Sequence, residues 1–227
     1  MIGSRRTFLG GIQRGPWFWA VAGIVVTVLV TLRYFTGIDE AAAQWMAAVR
    51  TPTLDAIARP ITFFGSSPWC MSVMGAVSVW WWRKRRHRGV EIFWCVWLVG
   101  IVIEIVLRFI VPHWRPDAGV LPVTMDPITR FQLSGFTSGH AFRSAFLYGW
   151  GTEVLFRRGT RAAQLCALGL GGMVLLVGVT RIYLHRHWFS DVLGAWIVAA
   201  FVLAIARAWH QGTPESSTVN GGTSSHP

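Results

Sequence analysis

The segment Thr180-Arg181-Ile182-Tyr183-Leu184-His185-Arg186-His187-Trp188-Phe189-Ser190-Asp191 joins two long apolar runs and carries a chemical set. It holds an arginine, a histidine six positions on and an aspartate four beyond that. On a helix starting near Trp188, His187 and Asp191 share a face. Asp191 can then accept one imidazole N–H and leave the other ring nitrogen as a lone pair. An oriented neutral imidazole is a nucleophile toward phosphorus. The Arg181 guanidinium is a planar fork that fits phosphate oxygens. Charged groups are costly beside hydrocarbon, so this set at the edge of a membrane segment points to function.

Two further fragments supply matching chemistry. Arg108 and Arg115-Pro116 offer two more guanidinium forks, and Thr137-Ser138-Gly139-His140 opens an apolar run. A helix beginning there presents free N–H groups and a positive dipole end to an anion. Gly139 allows close backbone approach, and His140 stands where it could protonate a leaving oxygen. Each feature has a plainer alternative. A histidine at a helix end commonly caps or lines an interface, and Glu104, four before Arg108, makes a structural salt bridge there. The two roles are compatible if Glu104 offsets the cost of burying Arg108 and turns it toward the site. Arg143, one turn after His140, reads as a head-group contact. His185 and Arg186 read as interface or substrate contacts.

The elements that must position these groups are membrane helices. Of 227 residues, 53% are hydrophobic and 14% charged, and the 14 tryptophans exceed what a soluble domain needs. Six apolar segments stand out, at about 17–35, 68–82, 90–110, 140–156, 163–184 and 188–209. Most approach the roughly 20 residues that cross a bilayer. The expected fold is all-α, a polytopic six-helix membrane bundle. Between the first two segments, Ala41, Trp45, Ala48 and Val49 recur at helical spacing, which predicts a short interfacial helix broken at Thr51-Pro52 and Arg59-Pro60. The domain reading is a cytoplasmic amino-terminal stretch 1–16, a membrane domain 17–209 and a disordered tail 210–227.

The net charge of +11 does not imply nucleic acid, because the arginines cluster in short gaps between apolar runs. Arg83 to Arg88 and Arg157 to Arg161 read as cytoplasmic topology determinants. All three chemical fragments then fall on the external or periplasmic face of the cell membrane, with both termini inside. Cys70, Cys95 and Cys166 lie within apolar runs and behave as small hydrophobes. No carboxylate cluster accompanies the site residues, so neither metal nor cofactor is implied. The partners implied are the bilayer and a lipid phosphate; the sequence leaves the oligomeric state open.

Taken together, the fragments resemble the signature of the type 2 phosphatidic acid phosphatase superfamily, membrane lipid phosphate phosphatases related to vanadium haloperoxidases. That pattern is Lys-x6-Arg-Pro, then Pro-Ser-Gly-His, then Ser-Arg-x5-His-x3-Asp. Here it reads Arg108-x6-Arg115-Pro116, Thr137-Ser138-Gly139-His140 and Thr180-Arg181-x5-His187-x3-Asp191. Arg108, Thr137 and Thr180 depart from it while keeping charge, capping ability and hydroxyl respectively. The resemblance implies that His187 attacks phosphorus, Asp191 holds it, and His140 protonates the departing oxygen and then activates water. It further implies that Arg108, Arg115, Arg181, Ser138 and Gly139 bind the phosphoryl oxygens. A polyprenyl diphosphate carrier is the lead substrate, on the grounds of an external site and compact size. Phosphatidylglycerol phosphate, phosphatidic acid and lipid A phosphates are alternatives, as is phosphotransfer to an acceptor. A non-catalytic lipid-binding or transport protein is the reading from a different class.

Overall fold

The computed structural model describes residues 15–118 and 125–211. Within them lie nine helices: α1 (Pro16–Thr31), α2 (Thr36–Ala48), α3 (Pro52–Phe63), α4 (Ser67–Arg83), α5 (His87–Ile110), α6 (Pro127–Leu133), α7 (Gly139–Phe156), α8 (Arg161–Tyr183) and α9 (Phe189–Gln211). The only β pairing among the described residues is a single bridge between Trp114 and Ser134. The expected amino-terminal stretch lies almost wholly outside the described residues, and so does nearly all of the expected tail.

Local chemistry sets the helix starts. Pro16, Pro52 and Pro127 each occupy the first position of a helix, where a missing N–H costs nothing. Thr51, Ser66, Asp126 and Thr160 cap α3, α4, α6 and α8 through their side-chain oxygens. The six apolar segments became α1, α4, α5, α7, α8 and α9. The expected break at Thr51-Pro52 separates α2 from α3. The break expected at Arg59-Pro60 does not occur, because Pro60 sits inside α3. It lies in the last turn, where one forfeited hydrogen bond is a small loss. Helix α6, in the long connection after α5, was not expected from the sequence.

Three helices among the described residues are long and apolar enough to cross a membrane: α5, α8 and residues Phe189–Trp209 of α9. A fourth span arises if α1 and α2, bent by 83° at the residues between them, count as one broken span. Burial ranks them. In its most apolar window α9 is 67% buried inside the protein, against 33% for α5 and 22% for α8. Helix α9 is therefore the central post, packed by α1, α5 and α7. Helix α8 leans on α7 and turns Leu165, Leu168, Leu175 and Leu176 outward. Such an apolar exterior suits lipid.

An aromatic column locks α5 to α7. Trp97 stacks on Phe142 with centroids 5.4 Å apart, and Phe93 meets Phe146 at 5.2 Å and Trp150 at 4.8 Å. Gly100 makes this approach possible, since a Cβ there would run into the Phe142 ring. At the other end of the bundle the sharp turn after α1 swings α2 beneath the start of α9. Asp39 on α2 then accepts from the Ser190 N–H at 2.8 Å and the Ser190 hydroxyl at 2.7 Å. A buried carboxylate from one helix thus caps another, where the dipole favours negative charge.

Candidate active site

Backbone hydrogen bonds stitch the three sequence fragments together at one end of the bundle. The Gly135 N–H donates to the His113 carbonyl at 2.7 Å, and the Arg115 N–H donates to the Leu133 carbonyl at 3.1 Å. The Ser138 N–H donates to the Asp191 carbonyl at 3.1 Å. After α8 the chain doubles back, so that the Arg186 and His187 N–H groups both reach the Arg181 carbonyl, at 3.0 and 3.2 Å. His185 makes this reversal with a left-handed φ of 54°. The Trp188 indole N–H closes the ring of contacts on the Trp114 carbonyl at 2.6 Å.

At the centre stands an oriented imidazole. His187 Nδ1 is 3.1 Å from Asp191 Oδ2, and both side chains are buried. A carboxylate can only accept, so Nδ1 carries the proton and Nε2 keeps the lone pair. Burial depresses the His187 pKa and Arg181 and Arg115 reinforce this, while Asp191 opposes it, leaving the ring at about 4. The ring is therefore neutral at pH 7.

The arginines converge around it. Arg108 Nη2 donates to Glu104 at 2.8 Å and to the Thr137 carbonyl at 3.1 Å, and the pair is buried. Arg108 thus ties Glu104 to the loop carrying Ser138. Arg115 Nε donates to the Ser134 carbonyl at 3.2 Å. Burial and the neighbouring Arg108 push the Arg115 pKa below its ordinary value. Arg181 Nη1 donates to Thr62 at 3.2 Å. Crowding of like charges without a carboxylate for each is what an anion-binding site looks like.

Several donors here are buried and have no partner among the described residues: Arg108 Nε, Arg181 Nε, Thr137 Oγ1 and Ser138 Oγ. An unmatched buried polar group costs about 1–3 kcal/mol. Such groups in one site mark a surface built to receive acceptor oxygens. Ser138 sharpens the point. It holds the cap position of α7, yet its hydroxyl makes no cap bond, unlike the caps of α3, α4, α6 and α8. Gly139 allows the backbone to pass between charged groups: a Cβ would meet Glu104 Oε1 at 2.7 Å and Arg143 Nη1 at 2.9 Å.

His140 opens α7, within electrostatic reach of Arg181, Arg143, His187 and Arg115. Arg143 Nη2 lies 3.4 Å from His140 Nδ1, and its Nε donates to the Gly65 carbonyl at 3.2 Å. The Arg143 guanidinium, expected at a head group, therefore turns inward and lies against His140. Arg186 pairs with Asp117 at 2.7 Å on the exposed rim, and His185 Nδ1 lies 3.3 Å from the Tyr183 carbonyl.

The structure also brings in residues that sequence reasoning passed over. His113 Nδ1 lies 2.8 Å from Asp191 Oδ1, and Asp39 stands behind it. Gly135 packs against Asp191 so closely that a Cβ would sit 2.6 Å from Oδ2. The available signals were slight: His113 lies two residues before Arg115, and Asp39 shares a helical face with the apolar Ala42, Ala43 and Met46.

Comparison with known proteins bears on the family and the fold. The family model of the PAP2 superfamily matches residues 88–214. Phosphatidylglycerophosphatase B of Bacillus subtilis (strain 168) is 21% identical over 176 residues, covering 76% of this chain and 83% of that protein. The fold is shared with the crystal structure described as the first transmembrane PAP2-type phosphatidylglycerolphosphate phosphatase from Bacillus subtilis. That match has a TM-score of 0.74 and 18% identity, over 89% of this chain and 98% of that one. With the family model spanning more than half of its length and helices fit to cross a bilayer, this chain is an integral membrane protein and belongs to the PAP2 superfamily.

Proposed function

We propose that this protein is a metal-independent lipid phosphatase that cleaves a phosphate monoester or diphosphate of a lipid through a phosphohistidine on His187. The observation that carries this reading is the neutral, Asp191-held imidazole set among buried guanidinium and hydroxyl donors that lack partners among the described residues. His187 Nε2 attacks phosphorus as the bond to the lipid oxygen breaks, and His140 gives that oxygen a proton. Arg108, Arg115, Arg181, Ser138 and the Gly139 N–H hold the three phosphoryl oxygens as charge builds on them. Water, losing a proton to His140, then displaces His187 and releases inorganic phosphate.

The lead substrate is a polyprenyl diphosphate carrier, on the grounds of an external site and compact size. Phosphatidylglycerol phosphate is the second reading, and the names of the two relatives favour it. Purified protein should release phosphate from at least one of a panel comprising a polyprenyl diphosphate, phosphatidylglycerol phosphate, phosphatidic acid and lipid A. EDTA should leave the rate unchanged, whereas vanadate, which can imitate five-coordinate phosphorus, should inhibit. Activity lost in EDTA and restored by a divalent ion would overturn the mechanism. Release from none of the lipids would return the chain to a binding or transport role.

The membrane domain of residues 17–209 has six spans, α1, α4, α5, α7, α8 and α9, with α2 and α3 at the external interface. Both termini and the arginine clusters at 83–88 and 157–161 are cytoplasmic, so the site faces the periplasm or exterior. In intact cells a cysteine introduced at Asp117 should label with an impermeant thiol reagent, and one at Gly159 should not. The reverse pattern would invert the topology.

A further inference from the structure

His113 is one of the six unspecified positions between Arg108 and Arg115 in the first fragment, yet its ring lies against the residue that orients the nucleophile. Its side chain is 19% exposed. Nδ1 is 2.8 Å from Asp191 Oδ1, and Nε2 is 3.7 Å from Asp39 Oδ2. Asp191 therefore divides its two oxygens between two imidazoles. Oδ1 serves His113, while Oδ2 takes the His187 ring and the Trp188 N–H at 3.0 Å. Asp39 is itself anchored by two hydrogen bonds from Ser190, the residue before Asp191. The result is a run of neighbouring polar groups, Ser190, Asp39, His113, Asp191 and His187, hydrogen-bonded at every step except the ion-pair contact between Asp39 and His113.

An imidazole hydrogen-bonded to one carboxylate at Nδ1, with a second carboxylate 3.7 Å from Nε2, is favoured in its doubly protonated form. The charged groups facing His113 among the described residues are Asp191 on α9, Asp39 on α2 and Arg33 at the corner after α1. Burial and Arg33 disfavour the imidazolium, but Asp191 and Asp39 outweigh them and raise the His113 pKa above its ordinary value.

We propose that His113 is a positioning residue for the phosphatase reaction: clamped as a cation between Asp39 and Asp191, it fixes the carboxylate that orients His187 and offsets its charge. The proposal rests on His187 being the nucleophile. Left alone, a buried Asp191 would favour a protonated His187, whose lone pair is then unavailable. A cation on the far carboxylate oxygen weakens that pull, as Arg181 and Arg115 do from the other side. Among the described residues, the charged or titratable groups that face His187 include Asp191, Arg181, Arg115 and His140. Removing the His113 charge leaves Asp191 free to stabilise protonated His187, so the His187 pKa rises. The acid limb of kcat/KM, which reports the free enzyme, should then move to higher pH.

A simple brace between α2 and α9 behaves differently, since its loss lowers the melting temperature or the rate at every pH without moving the limb. Two uncharged variants separate these roles. His113→Asn keeps an amide N–H near the Nδ1 position, facing Asp191. His113→Gln places its amide near the Nε2 position, facing Asp39. The experiment is the kcat/KM pH profile of wild type and both variants, in one detergent and on one lipid phosphate, whose own ionisation is common to all. The acid limb should rise by about one pH unit in each variant that folds. His113→Asn should lose less than about tenfold on the alkaline plateau, because one hydrogen bond to Asp191 survives. Limbs that superimpose on wild type in either variant would overturn the proposal and leave His113 a brace. His187→Ala is the control. If it keeps activity, the nucleophile assignment fails; if it is inactive while the limbs stay put, only the role of His113 fails.

Discussion

Replacing His187 by alanine is expected to abolish phosphate release while leaving the helices folded. The side chain is buried and touches Asp191, but the surrounding backbone bonds do not depend on it. Retention of more than about a hundredth of the wild-type kcat, equal to roughly 2.7 kcal/mol of lost catalysis, would remove His187 from its role. Asp191→Asn is the companion variant, and the geometry says why it should be nearly as severe. Asp191 accepts from three donors: the two imidazoles and the Trp188 N–H. An amide has a single acceptor oxygen and must present N–H groups to at least one former donor. If it faces His187, the ring must accept at Nδ1 and carry its proton on Nε2, where the nucleophilic lone pair should be. A trace of activity survives from the fraction of rings in the right tautomer. Single-turnover phosphate release with both variants, alongside far-ultraviolet circular dichroism to confirm the helices, measures this.

The local pairing of the site side chains was more legible in the sequence than the architecture around it. His187 and Asp191 were readable because a separation of four on a helix fixes a shared face, whatever the rest of the chain does. Glu104 and Arg108 were readable for the same reason, and the structure pairs them at 2.8 Å. The helix-forming apolar segments were visible because a membrane demands long runs of one composition. What could not be read depends on pairs far apart along the chain. Asp39 and Ser190 are 151 residues apart, and His113 and Asp191 are 78 apart. Nothing local marks such pairs, since each residue alone looks like an ordinary polar group near a helix end. Pro60 shows the opposite error. A local rule was applied where position within the last turn makes it weak. The direction of Arg143 was equally out of reach, because a long side chain in an apolar helix can turn inward as easily as snorkel outward. Here the Gly65 carbonyl and His140 decide the direction.

Arg108 is where this chain departs most from the family pattern, and its variants should separate catalysis from stability. Nη2 is shared between Glu104 and the Thr137 carbonyl, Nε has no partner among the described residues, and the Phe131 ring lies 5.1 Å from the guanidinium carbon. Arg108→Lys keeps a charge that can reach either Glu104 or the substrate but loses the planar two-point contact. A loss of about 1–2 kcal/mol in transition-state binding is expected, the scale of one hydrogen bond to a charged group. Arg108→Ala should cost more, because it also strands a carboxylate that is 8% exposed. Breaking a buried pair by removing one partner typically costs about 3–5 kcal/mol. Glu104→Gln removes that liability and keeps an acceptor for Arg108, so it should lower the melting temperature more than the rate. The three variants therefore rank differently on the two scales: Ala is worst on both, Lys is impaired mainly in kcat/KM, and Gln mainly in thermal stability. Thermal melts and kinetics on the same preparations give both rankings. If Arg108→Ala melts early yet turns over at the wild-type rate, the unpartnered Nε does not face the phosphate. Arg108 is then only the counter-ion of Glu104, and the phosphoryl clamp rests on Arg115 and Arg181.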